Sequence, residues 1–383
     1  MTHMEVAPEI LRWAVERSGK EAEALERRFP KLNAWLDRES GPTLRQLEDF
    51  AAATYTPFGY FFLTAPPVEP LPIPDFRTRR ADALRRPSGD LLDAIYLCQQ
   101  RQAWFEEFAR EEALDPVPMV GALTRNTSVA DAARTICAGI GFDLDQRRQD
   151  RTWTEALRRM IQLVEDAGIL IMVSGVVGSN THRKLDPDEF RGFALAHPHA
   201  PLIFVNGADS KSAQMFTIAH ELAHLALGVS ALSDAEASAL PDEHTERWCN
   251  QVAAEVLVPL TAFREELQAA EPIATATARL TRRFKVSSLV ILRRMWEAGA
   301  FPSREQFWTA YQAESDRLRE MVAGGEGGDF YRTLGARVSR RFEYALVAST
   351  LGGRTTFREA MRLLGCKRMV TFDSLAQRLG FSA

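Results

Sequence analysis

Two histidines four positions apart, His220 and His224 in FTIAHELAHL, are the residues of this chain best placed to do chemistry. On a helix, residues four apart lie one turn up on the same face, so both imidazoles can aim a nitrogen at one point about 2 Å away. That geometry binds a divalent cation, zinc first. Glu221 stands beside them, off the metal yet close enough to take a proton from a water held there, which is the general-base place in an H-E-x-x-H pattern. The helix offers Met215, Ile218, Leu222, Leu225 and Leu227 as apolar anchors, and Gly228 as its C-terminal stop. A catalytic zinc needs a third protein donor and an open position for water. Three donors lie downstream: His244 just before the helix TERWCNQVAAEVLV, Glu246 in its first turn, and Glu255, roughly 180° round that helix from Glu246. Spacing alone leaves the choice open.

FTIAHELAH followed by ERWCNQVAAEVLVP resembles the ImmA/IrrE family of metallopeptidases, in which H-E-x-x-H precedes E-x-x-x-N and an alanine-rich ending close to LLMP. The likeness runs over roughly residues 150 to 300 and takes in the apolar run PLIFVN ahead of the helix; Val256 and Val258 stand where the family has Leu and Met. The resemblance implies a Zn2+ site with His220, His224 and Glu246 as ligands and Glu221 as catalytic base, with Asn250 one turn after Glu246. It implies a gluzincin-like zinc metallopeptidase, an endopeptidase cutting a regulatory protein (a repressor or antitoxin) in a stress or mobile-element response. Relatives with a fused helix-turn-helix imply an alternative, an antitoxin or transcriptional regulator partnered with a PIN-like toxin, its metal site structural or vestigial. Zincins commonly let an extended substrate pair as an added strand, which makes PLIFVN the expected docking strand.

The elements that must position these residues follow from periodicity. TEALRRMIQLVEDAG reads as a helix, ILIMVS and PLIFVN as strands, and SAQMFTIAHELAHLALG and TERWCNQVAAEVLV as helices, the last stopped before Pro259. The fold class expected is α+β, mostly helical, with a zincin-like core around a small sheet, an N-terminal helical bundle and a C-terminal helical region. Leu91 to Phe142 is spaced as helix throughout, and TARLTRRFKVSSLVILRRMWEAG as one helix, with glycines at 324, 325, 327 and 328 as a later break. His182, His197 and His199 fall in loops, the last two expected at the surface.

Residues 5 to 65 read as four or five short helices, with Pro30 opening the third, Gly41 and Pro42 ending it, and Thr43 capping the fourth. This segment resembles the XRE-type helix-turn-helix, through Trp35 and the G-x-P-(S/T)-like break ending at Thr43. Its eight Arg and Lys against ten Asp and Glu give −2, whereas DNA-binding modules usually present a basic face. Two partner classes stay open: DNA through residues 5–65, or a protein, whether substrate, neighbour-encoded partner or second copy in a homodimer. APPVEPLPIP at 65 to 74 cannot be helical and should run extended. The arginines 77, 79, 80, 85 and 86 after it form the densest basic run, suited to a phosphate or acidic partner. The domains expected are 1–66 (XRE-like bundle), 67–150 (linker and helical connector), 151–263 (metallopeptidase core) and 264–383 (helical region).

Composition sets limits. At 383 residues the chain exceeds one core. With 46% apolar and 26% charged residues it is an ordinary globular sequence, and its net charge of −4 gives no global pull toward nucleic acid or anionic membrane. No apolar run of about 18 residues spans a bilayer, and MTHMEVAPEI lacks the regions of an export signal, so a cytoplasmic location with no membrane partner is expected. Cys98, Cys137, Cys249 and Cys366 stand far apart without a CxxC pair and are expected to be buried thiols.

Overall fold

A computed structural model describes residues 3–75, 87–233, 244–268, 271–323 and 338–381. The arginine run at 77–86 and the glycines at 324–328 lie outside the described residues. The chain divides into two compact units, Met1–Pro72 with Leu84–Ile95, and Ile73–Ala83 with Tyr96–Ala383.

The first unit contains α1 (Pro8–Arg17), α2 (Ala22–Arg28), α3 (Leu32–Leu36), α4 (Leu44–Thr54) and a 3-10 turn at Phe58–Phe62. Thr43 caps α4 through a capping box in which its hydroxyl accepts from the Gln46 amide and Gln46 answers to the Thr43 amide. The third helix starts at Leu32, later than the expected Pro30, and lasts a little over one turn. Ile10, Leu11, Trp35, Leu47, Phe50 and Phe61 close a core of their own. Arg17 is held inside it by Glu69 and Asp93, both at 2.8 Å.

The helix α5 (Gly89–Glu111) begins in the first unit and continues in the second. Then follow α6 (Val129–Ile140), α7 (Leu144–Gln149), α8 (Trp153–Asp166), β1 (Leu170–Ser174), β2 (Gly192–Leu195), β3 (Leu202–Asn206), α9 (Lys211–Leu227), β4 (Ala231–Ser233) and α10 (His244–Leu257). The chain continues through α11 (Leu260–Glu266), α12 (Ile273–Phe284), α13 (Ser288–Glu297), α14 (Arg304–Ala323), α15 (Arg340–Leu351), α16 (Phe357–Leu364) and α17 (Met369–Arg378). Among the described residues this is the α+β, mostly helical class that periodicity implies.

The sheet has the order β1-β3-β2-β4, with β1 parallel to β3 and the other pairs antiparallel. β3 is buried along its whole length, between β1 and β2. That overturns the expectation that PLIFVN receives a substrate as an added strand: both its edges are already bonded, and a further strand needs a free edge. The strands β2 and β4 escape a reading by periodicity because GFAL and ALS are too short for alternation to show.

Two helical expectations also change. Between Leu91 and Phe142 the chain leaves the helix after Glu111, since Ala113 turns to a positive φ of 51° and Pro116 and Pro118 follow. The long TARLTRRFKVSSLVILRRMWEAG segment is two helices: Lys285 takes a left-handed turn (φ 54°), and the Ser287 hydroxyl caps α13 by accepting from the Val290 amide. Among the described residues no helix is long and apolar enough to cross a membrane. Cys98 and Cys249 are buried, while Cys137 and Cys366 are only half-buried. Burial pushes the Cys98 thiol up to about 12 and the Cys137 thiol to about 11, so neither is a ready nucleophile.

Candidate metal centre

The helix α9 is fixed at both ends before it does anything chemical. Ser210 opens it by accepting from the Ala213 amide, and Gly228 closes it at φ 71°, its amide bonded back to the Leu225 carbonyl. The amides of Gly121 and Leu123 reach the carbonyls of Leu225 and Ala226 at 3.0 and 2.9 Å, satisfying groups a helix end leaves unpaired. Met215, Ile218, Leu222 and Leu225 are fully buried against the sheet and neighbouring helices, and Leu227 is half-buried.

Between α9 and α10 the three donors meet. His220 Nε2 lies 3.1 Å from Glu246 Oε2, His224 Nε2 lies 2.9 Å from Glu246 Oε1, and the two Nε2 atoms are 3.0 Å apart. Among the described residues, this is the group of His, Cys, Asp and Glu donors close enough to hold a metal ion. His220, Glu221 and His224 are fully buried and Glu246 nearly so. Asn250, one turn beyond Glu246 on the same face of α10, takes His220 Nδ1 on its Oδ1 at 3.0 Å. With the Nδ1 proton committed to that bond, neutral His220 turns the bare lone pair of Nε2 toward His224 and the carboxylate. Electron-rich atoms converging in a dry interior need a cation between them, so the donor set fits a zinc-like ion.

The electrostatics agree. Burial pushes Glu246 up, but His220 and His224 outweigh it and hold the carboxyl at about 2. Burial works against charging either histidine; His220, faced by Glu246, ends raised, and His224, with His220 beside it, ends lowered. Glu221 is pushed up to about 8 by burial, with His220 opposing and Glu246 adding. That lies near the range in which a base both holds and releases a proton at neutral pH, and a divalent cation close by would draw it down.

The space beside Glu221 depends on Gly192. A Cβ there would come within 2.5 Å of Thr217 Cγ2 and 2.8 Å of the Phe204 carbonyl oxygen, and 3.3 Å from Glu221 Oε1. Absence of a side chain at this point lets α9 lie flush on β2. We expect Gly192→Ala to cost about 1–3 kcal/mol in urea unfolding, since it forces helix and strand apart. Pattern reading passes over this residue, because a lone glycine in a strand only hints at a close approach.

The other candidates are elsewhere. His244 is the exposed first residue of α10. Glu255 pairs with Arg294 at 2.9 Å and accepts from the Leu260 amide at the start of α11. His182 is exposed, while His197 and His199 are half-buried, not on the open surface; His199 bonds the Leu114 carbonyl at 3.0 Å, and His197 lies 3.6 Å from Glu106. If Asn250 sets the His220 tautomer, Asn250→Ala should weaken zinc binding about 10–100-fold, as loss of a supporting bond to a metal-bound histidine usually does. Competition with a chromogenic chelator reads that directly, and unchanged affinity would remove Asn250 from the role.

Residues 164–295 match the family model of the IrrE N-terminal-like domain, Peptidase_M78, and residues 338–378 match a domain of unknown function, DUF8813. The chain is 32% identical over 163 residues to the radiation response metalloprotease IrrE of Deinococcus radiodurans, a stretch covering 40% of this chain and 48% of that protein. It thus spans about half the length of the curated relative it matches. Residues 164–295, which hold the His220, His224 and Glu246 cluster, are therefore the part of the chain that is similar to an IrrE N-terminal-like domain.

Proposed function

We propose that the chain is a zinc-dependent endopeptidase of the gluzincin kind, with His220, His224 and Glu246 holding the metal and Glu221 acting as general base. The observation that carries this reading is the meeting of two Nε2 atoms and a carboxylate within about 3 Å of one another, with Glu221 buried beside them. A zinc ion there supplies a Lewis acid that makes water easier to deprotonate and a peptide carbonyl easier to attack. Glu221, buried beside the cluster, takes the proton of the attacking water and returns it to the leaving amine. Asn250 keeps His220 in the tautomer that offers Nε2. The dry surroundings strengthen each of these interactions relative to water.

The substrate we infer is a regulatory protein, a repressor or antitoxin encoded near this chain, cut in a stress response. The name of the relative, a radiation response metalloprotease, supports that direction. The N-terminal helices, XRE-like in pattern yet net negative, are assigned to contact with such a protein partner rather than to DNA. The test is cleavage of neighbour-encoded regulators by the zinc-loaded protein, followed by gel and mass spectrometry, with the Glu221→Gln protein alongside. Intact regulators in both reactions would count against the reading.

A further inference from the structure

The strand β4 is an edge strand by sheet order, yet its outer side is not bare. The amide of Leu232 donates to the carbonyl of Pro74 at 2.9 Å, and Asp75 pairs with Leu232 in a parallel bridge. Ile73, next in line, is 7% exposed and anchors the segment. An extended piece of the proline-rich stretch therefore lies along β4 as a short added strand. The position matters because Ser233 of β4 is in register with Gly192, the residue against which Glu221 rests.

An unpaired strand edge is a ready template for an extended peptide, whose main chain bonds to it whatever its sequence. A proline-rich segment suits temporary occupancy: it is already extended, and prolines offer carbonyls but no N–H, so few ladder bonds form. Here the Leu232 amide bond to Pro74 and the buried Ile73 side chain help hold it.

We propose that the outer edge of β4 is the peptide-docking edge of the metal centre, and that residues 73–75 occupy it as a built-in competing strand. The proposal rests on the peptidase reading for the purpose of that edge, and an incoming extended peptide must displace the chain's own segment. A free edge binds a peptide better than an occupied one by the fraction of time it is free.

The experiment uses the full-length zinc-loaded protein and a fluorescein-labelled peptide, VEPLPIPD, copying residues 68–75. Ile73→Asp should expel the anchor and bind the peptide at least about tenfold more tightly than the wild type in fluorescence anisotropy. Hydrogen exchange should show the Leu232 amide exposed in this variant and protected again when peptide is added. Val68→Asp, at a position 90% exposed, should behave as the wild type and so controls for added charge. Should Ile73→Asp fail to fold, Ile73→Ala must shift both readouts in the same direction. Equal peptide binding by wild type and variant, a Leu232 amide still protected in the variant, or an exposed amide that no peptide re-protects would each overturn the proposal. Binding is read without turnover, so absence of cleavage by the wild type would defeat the peptidase reading while leaving the occupied edge established.

Discussion

Glu246→Ala should leave the protein without its metal. Zinc analysis of the purified wild type should give about one equivalent per chain, and the variant less than about a tenth, because two imidazoles alone are a poor site. The loss should be visible in stability as well. Zinc at 100 times its dissociation constant adds about 2.7 kcal/mol to the wild type, whereas the variant should gain almost nothing from the same addition. Glu246 stands nearly buried between both histidines and faces each through a different oxygen, so no rotamer of a neighbour can replace it. Glu255 is engaged with Arg294 and with the start of α11, and His244 is exposed at the head of α10. Stoichiometric zinc in the variant would mean that the ligand set has been misassigned.

The second large effect separates holding the metal from using it. Glu221→Gln keeps the volume and burial of the side chain but cannot take a proton. Zinc content should stay at the wild-type level while turnover falls by roughly 10² to 10⁴-fold, the usual range for loss of a positioned base. The measurement is single-turnover cleavage of the identified regulator, with zinc quantified on the same sample. A variant that still cleaves at the wild-type rate would exclude Glu221 from the chemistry. One that loses zinc would instead show that the carboxylate supports the site electrostatically.

That His220, His224 and Glu246 converge is legible in the sequence because helical periodicity brings His220 and His224 to one face, and because the resemblance ranks Glu246 above two other donors. Asn250 came with the same motif, but its bond to His220 Nδ1 could be seen only with the helices packed. Gly192 was not legible: its importance lies in Thr217 and Phe204, which approach from elements distant in sequence. The strands β1 and β3 and the helices α8, α9 and α10 follow their patterns, the longer helical runs break at Ala113 and Lys285, and β2 and β4 are too short to leave a pattern. The expectation that β3 takes an added strand fails for a related reason. Apolar content marks β3 as a strand, but strand order, which makes it interior, comes from long-range pairing that local pattern does not encode.

The amides of Gly121 and Leu123 clamp the far end of α9 using main-chain atoms only. Such a fastening is blind to side-chain identity, so the exposed Ala122 can be substituted without loosening it, whereas Leu123 also packs into the core. Gly121 and Gly228, whose backbones nearly touch with a Cβ at Gly228 only 3.2 Å from the Gly121 Cα, are the exceptions. Insertions and deletions there, rather than point changes, are what would unseat the helix that carries both histidines.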